Sequence, residues 1–210
     1  MKSIVLLILL LISSPLFSQI SEGYIQYTIE VEAIDTSMET KQSVGLLLNS
    51  KMEIYFDQAH LRVDFKLGKM SQTQMILDFN KDSVVTLAKS VYGTFATVST
   101  IEELSYLQKE ESSSIQLIDE TKTFLGYTCK KAIVSSKGIE TVYWYSDQIK
   151  VEFKGNEFFD KKLPGFPLFF SKTENGVYMQ YQVSNVVTEL KDVNKVFDLT
   201  IPTEYSLMPK

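Results

Sequence analysis

The chain has 210 residues, a formal charge of −5 at neutral pH, 44% hydrophobic and 12% aromatic content, and one cysteine. That composition is too apolar for a disordered chain, and one arginine among dispersed lysines makes no basic patch, which excludes nucleic acid as a natural partner. Cys129 has no second cysteine to pair with, and a domain of this size builds a core large enough to fold without a disulfide.

The chain opens on Met1-Lys2-Ser3, an apolar run over residues 4–12, and small residues up to Ser18. A basic start, a short apolar core and a small residue before Gln19 predict a secretory signal over residues 1–18. A retained membrane anchor is the rival reading, but spanning a bilayer takes about 20 apolar residues. No cysteine stands directly after the cleavage point, where Gln19 is found, which speaks against a lipid anchor. The expectation is an exported chain, in the periplasm or cell envelope and soluble once cleaved, with residues 19–210 forming one domain.

Residues 24–31 alternate, with Ile25, Tyr27, Ile29 and Val31 on one face: a half-buried strand. Over residues 35–50 the alternation stops. Thr36 and Glu39 stand in capping-box relation before Leu46, Leu47 and Leu48, which predicts a short helix or covering segment interrupted by Gly45. A hairpin follows over residues 52–65 with its turn at Gln58-Ala59-His60, and Arg62 can pair with Asp57 or Asp64. Another is expected over residues 75–88, turning at residues 80–83, and residues 91–98 continue the series. Thr100 and Glu103 form a second capping box, and Ile101, Leu104 and Leu107 share a helical face over residues 100–109. Residues 109–114 read as a polar loop.

The stretch over residues 119–145 reads as one long hairpin, with arms at residues 126–134 and 139–145 and a four-residue turn at Ser135-Ser-Lys-Gly138. Tyr127, Cys129 and Ile133 fall on one face, Ala132 and Val134 on the other, so both faces are expected to be covered or to line a cavity. Residues 148–162 read as a loop with Val151 and Phe153 inward. Residues 163–170 hold two prolines and begin as a bend before becoming a strand. Asn175-Gly176 predicts a two-residue type I′ turn into Val177, Met179, Tyr181 and Val183. About ten short strands with one or two helical segments make a mainly β fold. The expected architecture is a strongly curved antiparallel sheet carrying one or two short covering helices.

The chain shows no catalytic machinery. His60, the single histidine, sits at an expected turn and reads as exposed, and no G-x-S-x-G elbow is present. One His and one Cys build no zinc site, and the carboxylates lack calcium-loop spacing. No cofactor is expected. A thiol becomes reactive beside a cation or His, whereas Lys130 points away from Cys129, so Cys129 reads as a small apolar core residue. What remains is an apolar set. Trp144, Phe166, Phe169, Phe170, Met75 and Leu77 are the candidate lining of a hydrophobic ligand site, with Tyr127, Tyr143 and Tyr145 close by. In this reading Tyr143 and Tyr145 pack against the core or a lid and Trp144 turns to the concavity.

At Gly126-Tyr-Thr-Cys-Lys-Lys-Ala132, Val142-Tyr-Trp-Tyr145, Leu163-Pro-Gly165 and Phe197-Asp-Leu-Thr-Ile-Pro202, together with residues 52–62, the chain resembles exported Bacteroidota proteins. They belong to an uncharacterised-domain family (domain of unknown function 4412) and the neighbouring GLPGLI-type proteins. Lys162 stands where the GLPGLI pattern has Gly, and Phe166 where it has Leu, which favours the first family. These families are similar to lipoprotein-carrier folds of the LolA/LolB kind, half-open barrels with a helical lid. The resemblance implies an envelope location and binding of acyl chains, and it brings no catalytic residues. Three functions follow: a non-enzymatic envelope protein binding an apolar ligand or lipid, an envelope protein–protein interaction module, or a hydrolase with carboxylates assembled in space. Ligand identity, partner identity and oligomeric state are not legible in the sequence.

Overall fold

The structure, a computed structural model, describes residues 20–107, 113–149, 159 and 162–208. The expected signal and most of the expected loop over residues 148–162, with Val151 and Phe153, lie outside them. Among the described residues the first half of the chain runs β1 (Gly23–Ala33), α1 (Met38–Leu47), β2 (Lys51–Phe56), β3 (His60–Leu67), β4 (Ser71–Asp78), β5 (Ser83–Ser90), β6 (Gly93–Ser99) and α2 (Ile101–Leu107). The second half runs β7 (Ser114–Phe124), β8 (Tyr127–Ser136), β9 (Ile139–Ser146), β10 (Phe166–Glu174), β11 (Val177–Val187), α3 (Val193–Val196) and β12 (Ser206–Leu207).

All twelve strands form one sheet in the order β12-β6-β5-β4-β3-β2-β1-β11-β10-β9-β8-β7. The ladder is antiparallel except where β12 lies parallel to β6, so the expected antiparallel sheet is mixed at one margin. The cause is the C-terminal segment, which crosses the outer face of β5 and β6, packing Leu199, Ile201 and Tyr205 on Val85, Leu87 and Ala96, before it reaches β6. The sheet does not close: its order begins at β12 and ends at β7.

Strong curvature follows from the packing. In a flat sheet β4 and β9, six strand spacings apart in the order, would be separated by about 29 Å at roughly 4.8 Å per spacing. Here Met75 of β4 and Tyr143 of β9 line one cavity. The concave side holds the main core, where Ile25, Tyr27, Ile54, Phe56, Leu61 and Leu77 meet Ala132, Tyr145 and Leu168. Alternation puts these residues on one side, and burial of apolar surface at roughly 25 cal/mol per Å² holds the sheet bent.

The turns fix the register. Asn175 (φ 50°) and Gly176 (φ 77°) are both left-handed and join β10 to β11 in two residues, as the type I′ expectation requires. Leu125-Gly126 and Lys137-Gly138 repeat the arrangement. The turn expected over residues 135–138 is therefore shorter, because Ser136 still pairs with Ile139 in the ladder. Gly126 is a turn residue and not the start of a strand. β7 is a third, outermost arm, and its register slips between Ile118 and Thr121.

Of the three helices, α1 and α2 carry side-chain caps at their N-termini, and α3 does not. In α1 the cap is Ser37, not Thr36: its Oγ accepts from Thr40 N at 3.1 Å. The second box stands as expected, with Glu103 N donating to Thr100 Oγ1 at 3.0 Å and Thr100 N to Glu103 Oε2 at 2.9 Å. Leu46 O accepts from Lys69 N at 3.0 Å, and a Cβ at Gly68 (φ 51°) would collide with that carbonyl, so α1 is seated on the β3–β4 turn.

Candidate functional site

Between the two arms of the bent sheet lies a cavity of about 450 Å³, within the range of roughly 300–1,000 Å³ usual for small-molecule sites. Met52, Val63, Phe65, Thr73 and Met75 line it from β2, β3 and β4; Thr141, Tyr143, Phe170, Lys172 and Tyr181 line it from β9, β10 and β11. Its floor is aromatic. Phe170 stacks on Tyr181 with centroids 4.2 Å apart and on Tyr143 at 5.6 Å. Phe159 meets Phe170 edge-on at 5.5 Å and Phe166 at 5.6 Å. Tyr27, wholly buried, donates its hydroxyl to Pro167 O at 2.5 Å, and burial holds its phenol well above the ordinary range. Lys172 is the one charged side chain in the lining, paired with Glu174 at 2.8 Å near the end of β10.

Of the six residues expected to line a site, Met75 and Phe170 do so. Leu77 and Phe166 are buried in the core. Trp144 and Phe169 stand on the outer face, opposite one another in the β9–β10 register. There Phe169 stacks on Phe124 at 5.6 Å, and Lys122 Nζ lies 5.8 Å from the Trp144 ring centroid, with Lys131 Nζ at 5.7 Å. The strand alternates as expected, but the faces are exchanged: Tyr143 looks into the cavity and Trp144 away from it. A bulge around Leu168, between the Pro167↔Tyr145 and Phe169↔Trp144 pairs, resets the phase of β10. Sequence reasoning missed Met52, Val63, Phe65, Thr73, Thr141, Lys172 and Tyr181; the shared alternation of Val63 with Phe65 and of Met75 with Thr73 was the available signal.

At the opposite end His60 is half-buried and begins β3, where an exposed turn residue was expected. Its Nδ1 lies 3.0 Å from Asp57 Oδ1, its Nε2 3.7 Å from Asp78 Oδ2, and its ring stacks on Phe197. These carboxylates serve turns. Asp57 accepts from Ala59 N and His60 N, and Asp78 from Asn80 N, Lys81 N and the Lys81 ammonium. Arg62 pairs with Asp64 at 2.6 Å and donates to Val196 O at 2.9 Å, which ties α3 to β3. Cys129 is fully buried, and burial pushes its thiol up to about 11. Among the described residues no group of three or more His, Cys, Asp or Glu could hold a metal ion.

No curated protein matches the chain in sequence. Among solved structures the chain is similar to PNGF-II, with a TM-score of 0.51 and 13% identity over 90% of this chain and 31% of that one, so it spans about a third of that protein. The lipoprotein LppX of Mycobacterium tuberculosis aligns with a TM-score of 0.37 and 10% identity over 81% of this chain and 88% of that one. A LolA superfamily protein of Nitrosomonas europaea aligns at 0.24 and 9% identity over 85% and 90%. A family model described as N-glycanase peptide, N-terminal domain, matches residues 49–195, which take in β2 through β11 and every residue of the cavity lining. The chain belongs to that family of N-terminal domains.

Proposed function

We propose that this chain is a non-enzymatic exported domain that holds an apolar ligand, an acyl chain, in the cavity between the arms of its bent sheet. The observation that carries this reading is the cavity: about 450 Å³, floored by Phe170, Tyr181 and Tyr143, walled by Met52, Val63 and Met75. Burial of a chain there gains about 0.8 kcal/mol per methylene, so eight methylenes give roughly 6 kcal/mol before ordering costs. Lys172 at the wall suits an anionic head, such as a carboxylate. The expected signal over residues 1–18 supports a periplasmic or envelope location, and the motif resemblance to an exported uncharacterised-domain family supports the same.

A second reading is favoured by the family match. The aligned region is about a third of PNGF-II, so a domain of this kind sits beside other parts of a longer chain there, and here it would serve as an interaction module for another protein.

Titration of delipidated protein with a fluorescent acyl probe separates the two. The carrier reading expects saturable binding at micromolar concentration or tighter, abolished by Thr141→Trp, which fills the cavity from a strand position that tolerates an aromatic residue. The signal should come from the probe, because Trp144 faces away from the cavity. Absence of saturable binding overturns the carrier reading and leaves the interaction module.

A further inference from the structure

The rim around the cavity mouth carries an unusual surface. Strand directions place α1, the β3–β4 turn, the β5–β6 turn and the β10–β11 turn at one end of the sheet. Thr73, Thr141 and Lys172, at the same ends of their strands, put the cavity opening there as well. On this rim Val91 is 79% and Tyr92 87% exposed at the tip of a two-residue turn, with Met70, Leu46 and Leu48 also exposed. The groups are contiguous: Ser71 pairs with Ser90, which sets Met70 beside Val91, and Leu46 O accepts from Lys69 N. Monomeric surfaces rarely gather exposed apolar side chains on successive turn tips without a use for them.

The charges point to the occupant. Residues 41–52, 66–74 and 87–95, which build this stretch of rim, hold Lys41, Lys51, Lys66, Lys69 and Lys89 and no Asp or Glu, in a chain whose net charge is −5. Lys51 is paired with Glu53 at 3.0 Å, and Asp35, Glu39 and Glu174 lie farther round the same end, by α1 and the β10–β11 turn, so the basic stretch centres on Lys66, Lys69 and Lys89. Lys66, Lys69 and Lys89 are exposed. Apolar and aromatic tips standing proud of a lysine collar match an interface of acyl chains beneath anionic headgroups, where an amphipathic ring such as that of Tyr92 settles at the boundary. A rigid protein partner would call for a shaped concave or flat patch, whereas separate convex tips enter a deformable surface. Among the described residues no helix is long and apolar enough to cross a membrane.

We infer that this rim docks on an anionic lipid surface and sets the cavity mouth against it. The proposal goes beyond cavity binding and stands without it. The test is flotation of residues 19–210, which hold every described residue, with vesicles of phosphatidylcholine alone or mixed with phosphatidylglycerol. The protein is expected to float with the mixed vesicles and to be released by salt. Val91→Ser/Tyr92→Ser should abolish flotation, and Lys66→Ser/Lys69→Ser/Lys89→Ser should weaken it by about two orders of magnitude, roughly fivefold per lysine. Leu125→Ser, at the opposite end, should change nothing. Failure to float with either vesicle, equal flotation with both, or indifference to the Val91/Tyr92 change overturns the proposal; failure with both leaves the rim to a protein partner. Acyl-probe binding is measured on the same samples. Lost flotation with the probe still bound fails the docking alone, and intact flotation without probe binding fails the cavity reading alone.

Discussion

Phe170 and Tyr181 lie face to face across the β10–β11 ladder, 4.2 Å between centroids and 11° from parallel. The pair is at once the cavity floor and the roof of the core, because Phe159 and Tyr27 press on Phe170 from the other side. Truncation there removes contacts on both sides. Phe170→Ala is expected to cost about 3–5 kcal/mol in urea unfolding, whereas Thr141→Trp, at the half-exposed wall, should stay within about 1 kcal/mol of the parent.

The C-terminal segment depends on a second ring pair. Phe197 is buried and stacks on His60 at 4.9 Å, while Arg62 holds the neighbouring Val196 carbonyl. Phe197→Ala should loosen α3 and the segment over β5 and β6. Hydrogen exchange is expected to speed up over residues 193–208 while the amides of β8 and β9 stay protected.

Asp78 gives a pH signature. Burial, the largest influence, would raise its carboxyl, but the hydrogen bonds from the Lys81 side chain and backbone, the Lys81 charge and His60 outweigh it and hold it below its ordinary value of 3.8. A depressed folded value means that the ionised form stabilises: the contribution is complete above the ordinary value and is lost as pH falls through the lower folded one. Asp78→Asn should therefore be less stable than the parent at neutral pH by about 1–3 kcal/mol. The gap should narrow below about pH 4. Thermal melts of both proteins from pH 7 to pH 2 check it; a gap that stays constant would refute the assignment.

Cys129 should be inert in the folded protein. It is fully buried and its thiol is pushed up to about 11, so little thiolate exists at neutral pH. A bulky maleimide is expected to label it only in denaturant. Cys129→Ser buries an added hydroxyl and should cost about 1–3 kcal/mol.

Much of the fold could be read from local signals. The Asn175-Gly176 turn, the Thr100/Glu103 box and the alternation of β1 each rest on neighbouring residues, and each stands in the structure. β7 was legible only in part, because its run of polar and charged residues hides the alternation of Ile115 and Leu117. The site was harder. Period-two patterning says that Tyr143 and Trp144 face opposite ways, but which way is inward depends on the bend of the whole sheet, and Trp144 was given the wrong side. The shift in register at Leu168 is likewise invisible before the partner strand is known. His60 reads as exposed because Phe197 lies 137 positions away in the chain.

The slip in β7 matters for what the open sheet avoids. A sheet with free margins presents unpaired backbone groups, an invitation to intermolecular strand addition and fibres. β12 answers at one margin by being only two residues long. At the other, the break between Ile118 and Thr121 coincides with Asp119 and Glu120, and Lys122 follows, so neither half of β7 offers a long, straight, uncharged template. The sheet can therefore stay open, mouth and cavity included, without recruiting copies of itself.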